Sequence, residues 1–262
     1  MNKQDGPFGP VVNGTMIVFF EYRPNKAAGY SFTALFGLLT LGHLVFIFWR
    51  RAWFFIPFFF GGLAETFGYY GRALASGQPN IVGPFILQNL LILVATPFLA
   101  ASVYMSLGRV ITALDAKRYA IMNMRWMTSV YVLVDIGCID YSFGGLITQL
   151  VALSLFLFTS WHAHVRIRRD APEMIQKDSR LRWQNHFKAI ECVALLMIVR
   201  SLVRTIEYLQ GEGGYIITHE VFLYAFDAAL MAIAMLVFLF VYPGKLLQDS
   251  HDLKSCRRNP ES

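Results

Sequence analysis

An all-α, multi-pass membrane protein is the fold class that this sequence predicts, and three observations predict it. The 262 residues are 56% hydrophobic and only 15% charged, with a mean hydropathy of +0.47. A soluble domain carries about 25% charged residues. Several apolar runs approach the ~20 residues that cross ~30 Å of hydrocarbon. The 23 phenylalanines and 10 methionines fill these runs without the period-two alternation of a transmembrane barrel. Composition therefore argues against a soluble enzyme, a disordered tail, a coiled coil or a nucleic-acid partner.

Taken in order, a tail over 1–27 precedes the first span, 28–48. The tail lacks the basic and apolar regions of a cleavable signal peptide, so the first span is expected to act as its own insertion signal. Spans over 53–70, 84–110, 189–208 and 221–241 follow, completing a bundle over 28–245, and a tail over 246–262 closes the chain. Each span is expected to be helical, because lipid offers no partner for a free backbone N–H or C=O. Trp53, Tyr69, Tyr70, Trp126, Trp161 and Tyr242 stand near span ends, where amphipathic rings prefer the headgroup level. Pro57 and Pro97 are expected to kink their helices.

Orientation follows from the cations between spans. Arg50 and Arg51 follow the first span, whereas 73–83 holds no Lys or Arg. Lys117, Arg118 and Arg125 follow the third. Seven cations, from Arg166 to Lys188, precede the span at 189–208, and 211–219 again holds none. This alternation puts the N-terminal tail outside and the C-terminal tail in the cytoplasm, with the sequon Asn13-Gly14-Thr15 on the outer side. Arg125 and Arg166 then share a side, so the chain between them must cross an even number of times. Region 127–161 has only 35 residues for that, short of two ~20-residue crossings and a turn. A stunted hairpin bending at Gly144-Gly145 is preferred. One long crossing is the alternative.

The charges sort by location. The cytoplasmic connections hold 16 of the 23 Lys and Arg against seven acids. The spans hold Arg72, Arg109, Arg200 and Arg204 against Glu65, Asp135, Asp140, Glu191, Glu207, Glu220 and Asp227. A charge at the bilayer centre costs at least ~2.5–3.5 kcal/mol, so these groups should face the bundle interior or lie near its ends. Glu65, Tyr69 and Arg72 share one helical face, as do Arg200, Arg204 and Glu207, and likewise Glu220, Tyr224 and Asp227. Packed together, the three polar stripes are expected to form an internal pocket. Two readings stand side by side: a polar binding site inside the bundle, or interhelical ion pairs that fix helix register.

Other features carry less. The basic run 166–188 reads as an orientation signal or an anionic-lipid contact. Cys138, Cys192 and Cys256 lack metal spacing and read as buried small hydrophobes. His162 and His164 point to diverging faces. Motifs for metallohydrolase, serine-hydrolase or phosphate-binding chemistry are missing, so neither an enzyme activity, nor a cofactor, nor a metal is expected.

Several polar motifs recur in an ordered series. They are Tyr22-Arg23-Pro24 and His43; Glu65 through Gly68, Tyr69, Tyr70, Gly71 and Arg72; Gln88 through Pro97, Ala100, Ala101, Tyr104, Gly108 and Arg109; and Arg200, Arg204, Glu207, Gln210, Gly211, Glu220, Tyr224 and Asp227, closing on Tyr242-Pro243-Gly244. The series resembles the RTA-like family of fungal multi-pass membrane proteins, also called lipid-translocating exporters, over roughly 22–245. The resemblance implies a bundle of six to seven transmembrane helices with an outer N-terminus and a cytoplasmic C-terminus. It also implies a plasma-membrane or internal-membrane location. The activity it implies is translocation or release of amphiphilic lipids such as sphingoid long-chain bases, or resistance to toxic amphiphiles such as aminosterols. Porphyrin uptake is implied for some members. Membrane lipids and a cationic amphiphile are the expected partners, and Glu65, Tyr69, Arg72, Gln88, Tyr104, Arg204, Glu207, Glu220, Tyr224 and Asp227 the expected substrate-binding residues.

One departure stands out. Val134-Asp135-Ile136-Gly137-Cys138 matches the family pattern of a fourth helix, but the chain passes at once to Gly144-Gly145-Leu146, which resembles the later half of a fifth. About 25 residues of the pattern are missing, where the charge argument also finds too little chain. The fourth and fifth helices are thus expected to be truncated into a short hairpin or a single span, through an alternative transcript, a mis-spliced reading or a deletion. A heptahelical sensor of membrane lipid state is the alternative function, since it shares the topology and needs no nucleotide-binding motif.

Overall fold

A computed structural model describes residues 8–12, 15–16, 18–20, 22–114, 143–170, 183–211 and 214–242. Two-residue strands β1 (Val11–Val12) and β2 (Thr15–Met16) pair antiparallel ahead of the bundle. Helix α1 (Lys26–Arg50) starts at Asn25, whose side chain accepts from the backbone N–H groups of Ala27 and Ala28 at 3.0 and 3.3 Å. That bond satisfies donors that the first helical turn leaves free. The helix stops at Arg51, held in the left-handed region at φ 49°. A 3-10 turn (Trp53–Phe55) leads into α2 (Ile56–Ala75), followed by α3 (Val82–Ala113), α4 (Phe143–Asp170) and α5 (Trp183–Gln210). A four-residue turn, α6 (Tyr215–Thr218), precedes α7 (Glu220–Phe240).

Among the described residues four helices, α1, α3, most of α4 and α7, are long and apolar enough to cross a membrane. The other long helices among the described residues, α2 and α5, bury Glu65, Arg72 and Arg200 and carry Arg204 and Glu207 half-buried. Leu38, Val45, Trp49, Leu155, Phe158 and Val221 are exposed, the inverse of a water-facing surface and the arrangement expected where lipid is the solvent. The protein is an all-α membrane protein.

Packing follows small residues. α2 lies chiefly against α3 and α1, α4 against α5, and α5 against α3 and α7. A Cβ on Gly61 would meet Leu99 Cγ at 2.8 Å, and one on Gly68 would meet Ile92 Cγ1 at 2.7 Å. Only bare backbone lets α2 approach α3 this closely, as small residues do at membrane helix contacts. Phe36, Phe55, Phe58, Tyr104, Phe156, Phe187 and Phe238 fill the core.

One end of the bundle gathers the start of α1, the end of α2, the start of α3, the end of α5 and the start of α7. Gly9 N donates to Asn80 Oδ1 at 3.1 Å, Arg23 Nε to the Ser76 carbonyl at 3.0 Å, and Asn25 N to Glu220 Oε1 at 2.9 Å. At the opposite end Arg109 lies over the Phe54 ring, Tyr242 packs on Phe46 and Phe55, and His164 Nδ1 meets Glu191 Oε1 at 2.9 Å. That second end carries Arg50, Arg51, Arg166, Arg168, Arg169 and Lys188, the cations expected on the cytoplasmic side. α4 runs antiparallel to α5, so α3 and α4 both finish at this basic end.

Three expectations need correction. Gly144 and Gly145 do not bend a hairpin. They lie in the first turn of α4, one 28-residue helix. Pro57 sits in the first turn of α2, where proline's missing N–H removes no intrahelical bond, so it starts the helix. At Pro97, inside α3, the helix is unbroken, and an interior proline is a usual cause of a bend. Cys192 is exposed on α5 and is not a buried small hydrophobe. The first arm of the expected hairpin, 127–142, with Asp135, Cys138 and Asp140, lies outside the described residues, as do Asn13 and the tail 246–262.

Candidate functional site: a charged pocket at one end of the bundle

Two linked clusters build the site. In the deeper one, α5 supplies Arg200 and Arg204 one turn apart. Arg200 Nη1 donates to Glu65 Oε1 of α2 at 3.2 Å, its Nη2 donates to the Ile92 carbonyl of α3 at 3.3 Å, and its Nε pairs with Asp227 of α7. Arg204 takes the other Asp227 oxygen and also meets Glu207 Oε2 at 3.2 Å, an i, i+3 pair on its own helix. Four helices are therefore joined through two guanidiniums. Bidentate and shared arginine contacts of this kind are stronger than neutral hydrogen bonds.

The second cluster lies nearer the end of the bundle and centres on Arg72. Its Nη2 donates to Glu220 Oε1 at 2.9 Å and to the Tyr22 hydroxyl at 3.0 Å, and its Nε donates to the Tyr224 hydroxyl at 3.0 Å. Tyr224 donates in turn to Glu220 at 3.0 Å. The guanidinium also lies over the rings of Tyr22 and Tyr224 at 5.8 and 5.2 Å, a favourable placement for a cation away from water. Tyr22 lies ahead of α1, and burial pushes its phenol above the usual range. Its bond to Arg72 holds the N-terminal segment against the bundle.

A cavity of about 170 Å³ lies between the clusters. Its polar wall is made by Tyr22, Arg72, Gln88, Asn89, Arg200, Arg204, Glu207 and Asp227, and its apolar wall by Phe19, Phe20, Phe85, Val203, Phe222, Leu223 and Phe226. Phe19 stacks on Phe85 at 4.4 Å, so the N-terminal segment forms part of the cover. Arg204 and Glu207 have side chains 32% and 24% exposed and form the accessible part of the charged wall. Gln88 is buried, and its Oε1 has no hydrogen-bond partner among the described residues. A buried acceptor of this kind costs about 1–3 kcal/mol unless something donates to it.

The expected residues thus divide. Arg72, Gln88, Arg204, Glu207 and Asp227 line the cavity. Glu220 and Tyr224 hold Arg72, and Glu65 holds Arg200. Tyr69 stacks on Phe36 at 5.3 Å and reaches Phe32 and Tyr224. Tyr104 stands apart, packed on Phe156 of α4 at 4.7 Å, about 24 Å along α3 from Gln88. The charge pattern also differs from a bare acidic pocket. The wall itself carries three arginines against two carboxylates, with Glu65 and Glu220 pairing from outside it. Both sequence readings meet here: the stripes make interhelical ion pairs, and those pairs surround a cavity.

Sequence reasoning placed Arg200 on the α5 face but left it out of the binding set, although it is the centre of the deeper cluster. The spacing to Arg204 was the available signal. The return of Phe19, Phe20 and Tyr22 over the cavity had none beyond aromatic content. A π turn over Tyr224–Ala228 was also missed. It breaks the α-helical phase between Tyr224 and Asp227, so Glu220 and Tyr224 serve Arg72 while Asp227 serves Arg200 and Arg204. π turns recur at functional positions in helices.

Fold and site define a multi-pass helical membrane protein with a charged pocket near one end of its bundle. The chain belongs to the RTA1 like protein family, which matches it over 58–143 and 139–250. The match divides where about 25 residues of the family pattern were expected to be missing. Protoporphyrin uptake protein 1 of Saccharomyces cerevisiae is 31% identical over 204 residues, covering 70% of this chain and 67% of the relative. Protein RTM1 of Saccharomyces cerevisiae is 30% identical, covering 71% and 66%. The sphingoid long-chain base transporter RSB1 of the same species is 22% identical, covering 84% and 72%. The chain spans about two thirds of the length of the first two relatives. No solved structure matches. Family and relatives support a membrane-transport role, and the relatives carry names of transporters or membrane proteins, not of enzymes.

Proposed function

We propose that this chain translocates cationic amphiphilic lipids of the sphingoid long-chain base type, taking the head group in the cavity while the alkyl tail stays in lipid. The carrying observation is the cavity wall, where the partnerless Gln88 Oε1 stands with the carboxylates of Glu207 and Asp227. A sphingoid base offers hydroxyl donors for Gln88 Oε1, which has no partner among the described residues, and an ammonium that competes with Arg204 for Glu207 and with Arg200 and Arg204 for Asp227. The cavity holds several waters' worth of space but not a long alkyl chain, and the ring of Phe85, Phe222 and Phe226 leads from it towards the apolar surroundings. The relative named as a sphingoid long-chain base transporter supports the same substrate class.

On this reading the N-terminal tail and the cavity face the outside, the basic end and the C-terminal tail face the cytoplasm, and the plasma membrane is the site of action. The role is transport, not catalysis. The test is release of tritiated sphinganine from a base-sensitive yeast expressing the chain. Wild type should raise release and resistance together. Glu65→Gln, Glu207→Gln and Asp227→Asn should each abolish both at unchanged protein level. Resistance without any increase in release would instead identify a sensor, and unchanged resistance in all three variants would remove the pocket from the mechanism.

A further inference from the structure

We infer that the charged cluster exchanges one proton for one cationic head group, with Glu65 as the proton-accepting group, so that a proton gradient drives transport. The inference rests on the transport reading above and adds its energy source. It comes from a charge inequality. Among the described residues the two linked clusters hold three guanidiniums, Arg72, Arg200 and Arg204, against four carboxylates, Glu65, Glu207, Glu220 and Asp227. One carboxylate is in surplus.

Glu65 is the one that cannot reach water. It is fully buried. Oε1 receives Arg200, and Oε2 is buried with no hydrogen-bond partner among the described residues. α5 presents Arg200 and Arg204, α7 presents Asp227, α2 itself carries Tyr69 and, one turn further, Arg72 on the same face, and α3 enters through the Ile92 carbonyl, which also accepts from Arg200. α1 packs on this part of α2 through Phe36, stacked on Tyr69, and Thr40, beside Gly62, its one titratable group in this stretch, His43, lying further along against Phe58 and the Met235 carbonyl. A lone negative charge in such a place is strongly disfavoured. One exchangeable cation removes it, and there are two ways to supply one.

A proton on Glu65 Oε2 is the first. The second is an ammonium in the cavity beside Asp227 and Glu207. Arg200 connects the two, because it is shared between Glu65 and Asp227. An ammonium that takes over part of Asp227 leaves Arg200 to Glu65, and the Glu65 carboxyl then gives up its proton, which passes to water through the cavity by way of Glu207, the carboxylate on its accessible wall. When the ammonium leaves, Arg200 returns to Asp227 and Glu65 takes a proton back. Proton and head group together would leave an extra positive charge at membrane depth, and neither would leave a negative one. The exchange is therefore one for one and electroneutral.

Proteoliposomes with a trapped pH dye test this, with the membrane potential clamped by potassium and valinomycin. The probe is N,N,N-trimethylsphinganine, whose charge does not titrate, so a pH gradient cannot redistribute it passively. The expected result is probe accumulation on the acidic side, approaching tenfold for a gradient of one unit, with a matching proton movement. Glu65→Gln should abolish both, and Glu65→Asp should restore part of each, which separates loss of the proton site from loss of folding. Probe movement indifferent to the gradient overturns proton exchange and leaves transport standing. Coupling unchanged in Glu65→Gln overturns the role of Glu65. If no probe moves, exchange is overturned where the chain still releases sphinganine from yeast, and transport itself is overturned where it does not.

Discussion

Arg200 of α5 lies 3.2 Å from Glu65 of α2 through Nη1 while its Nε pairs with Asp227 of α7. One guanidinium thus serves two carboxylates on two other helices, at separations of 135 and 27 residues in sequence. A buried charge pair is often no more stabilising than a hydrophobic pair would be, but removing one partner is costly. The helices are thereby held in one register around the cavity, and its wall is made of the same bonds that hold the bundle.

Arg200→Leu leaves Glu65 and Asp227 short of their shared cation. The expected loss is about 3–5 kcal/mol, read as a lower midpoint of thermal unfolding in detergent. Glu65→Gln combined with Arg200→Gln should recover much of that loss, because Asp227 keeps Arg204. Equal midpoints for Arg200→Leu and wild type would contradict the network.

Tyr22→Phe removes one hydroxyl from Arg72 and loosens the N-terminal cover. A hydrogen bond to a charged group contributes about 1.5–3 kcal/mol, so opening should become at least about tenfold more frequent. The measurement is the rate at which a soluble maleimide labels a cysteine placed at Leu223, in a chain otherwise free of cysteine. An unchanged rate would show that the segment does not cover the cavity.

Gly68→Val tests the contact of α2 with α3. A Cβ at Gly68 meets Ile92 Cγ1 at 2.7 Å, and the Ile92 carbonyl accepts from Arg200. Overpacking of about 1–3 kcal/mol is expected, with loss of substrate release. Gly83→Ala, where an added Cβ has nothing within 4 Å, should leave both stability and release unchanged. Comparable effects at the two positions would contradict close packing as the cause.

The sequence made the three polar faces legible because the 3.6-residue period is a local property: Glu65, Tyr69 and Arg72 share a face whatever they pack against. Which face meets which was not legible, since Arg72 meets Glu220 across 148 residues and no spacing rule reaches that far. The period itself failed at Tyr224–Ala228, where the π turn divides the α7 stripe between the clusters. Tyr104 shows the converse limit. A polar aromatic inside a span need not join a polar site, and this one packs as core.

Gln88→Leu should separate substrates by their hydroxyls. Gln88 Oε1 is buried and partnerless in the described structure, so a hydroxylated base gains a bond that a deoxy base cannot make. Competition between sphinganine and 1-deoxysphinganine should favour the former by about 1–3 kcal/mol in wild type and show little preference in the variant. Equal preference in both chains would exclude Gln88 as the hydroxyl acceptor.

The central claim is that the cavity between the two arginine clusters holds a cationic head group. Saturation binding of tritiated sphinganine to the purified chain in nanodiscs tests it most directly. About one site per chain is predicted for wild type, weakened at least tenfold, ~1.4 kcal/mol, in Glu207→Gln, a variant on the accessible wall that should leave folding intact. Sphinganine binding equally tight in wild type and Glu207→Gln would contradict the account.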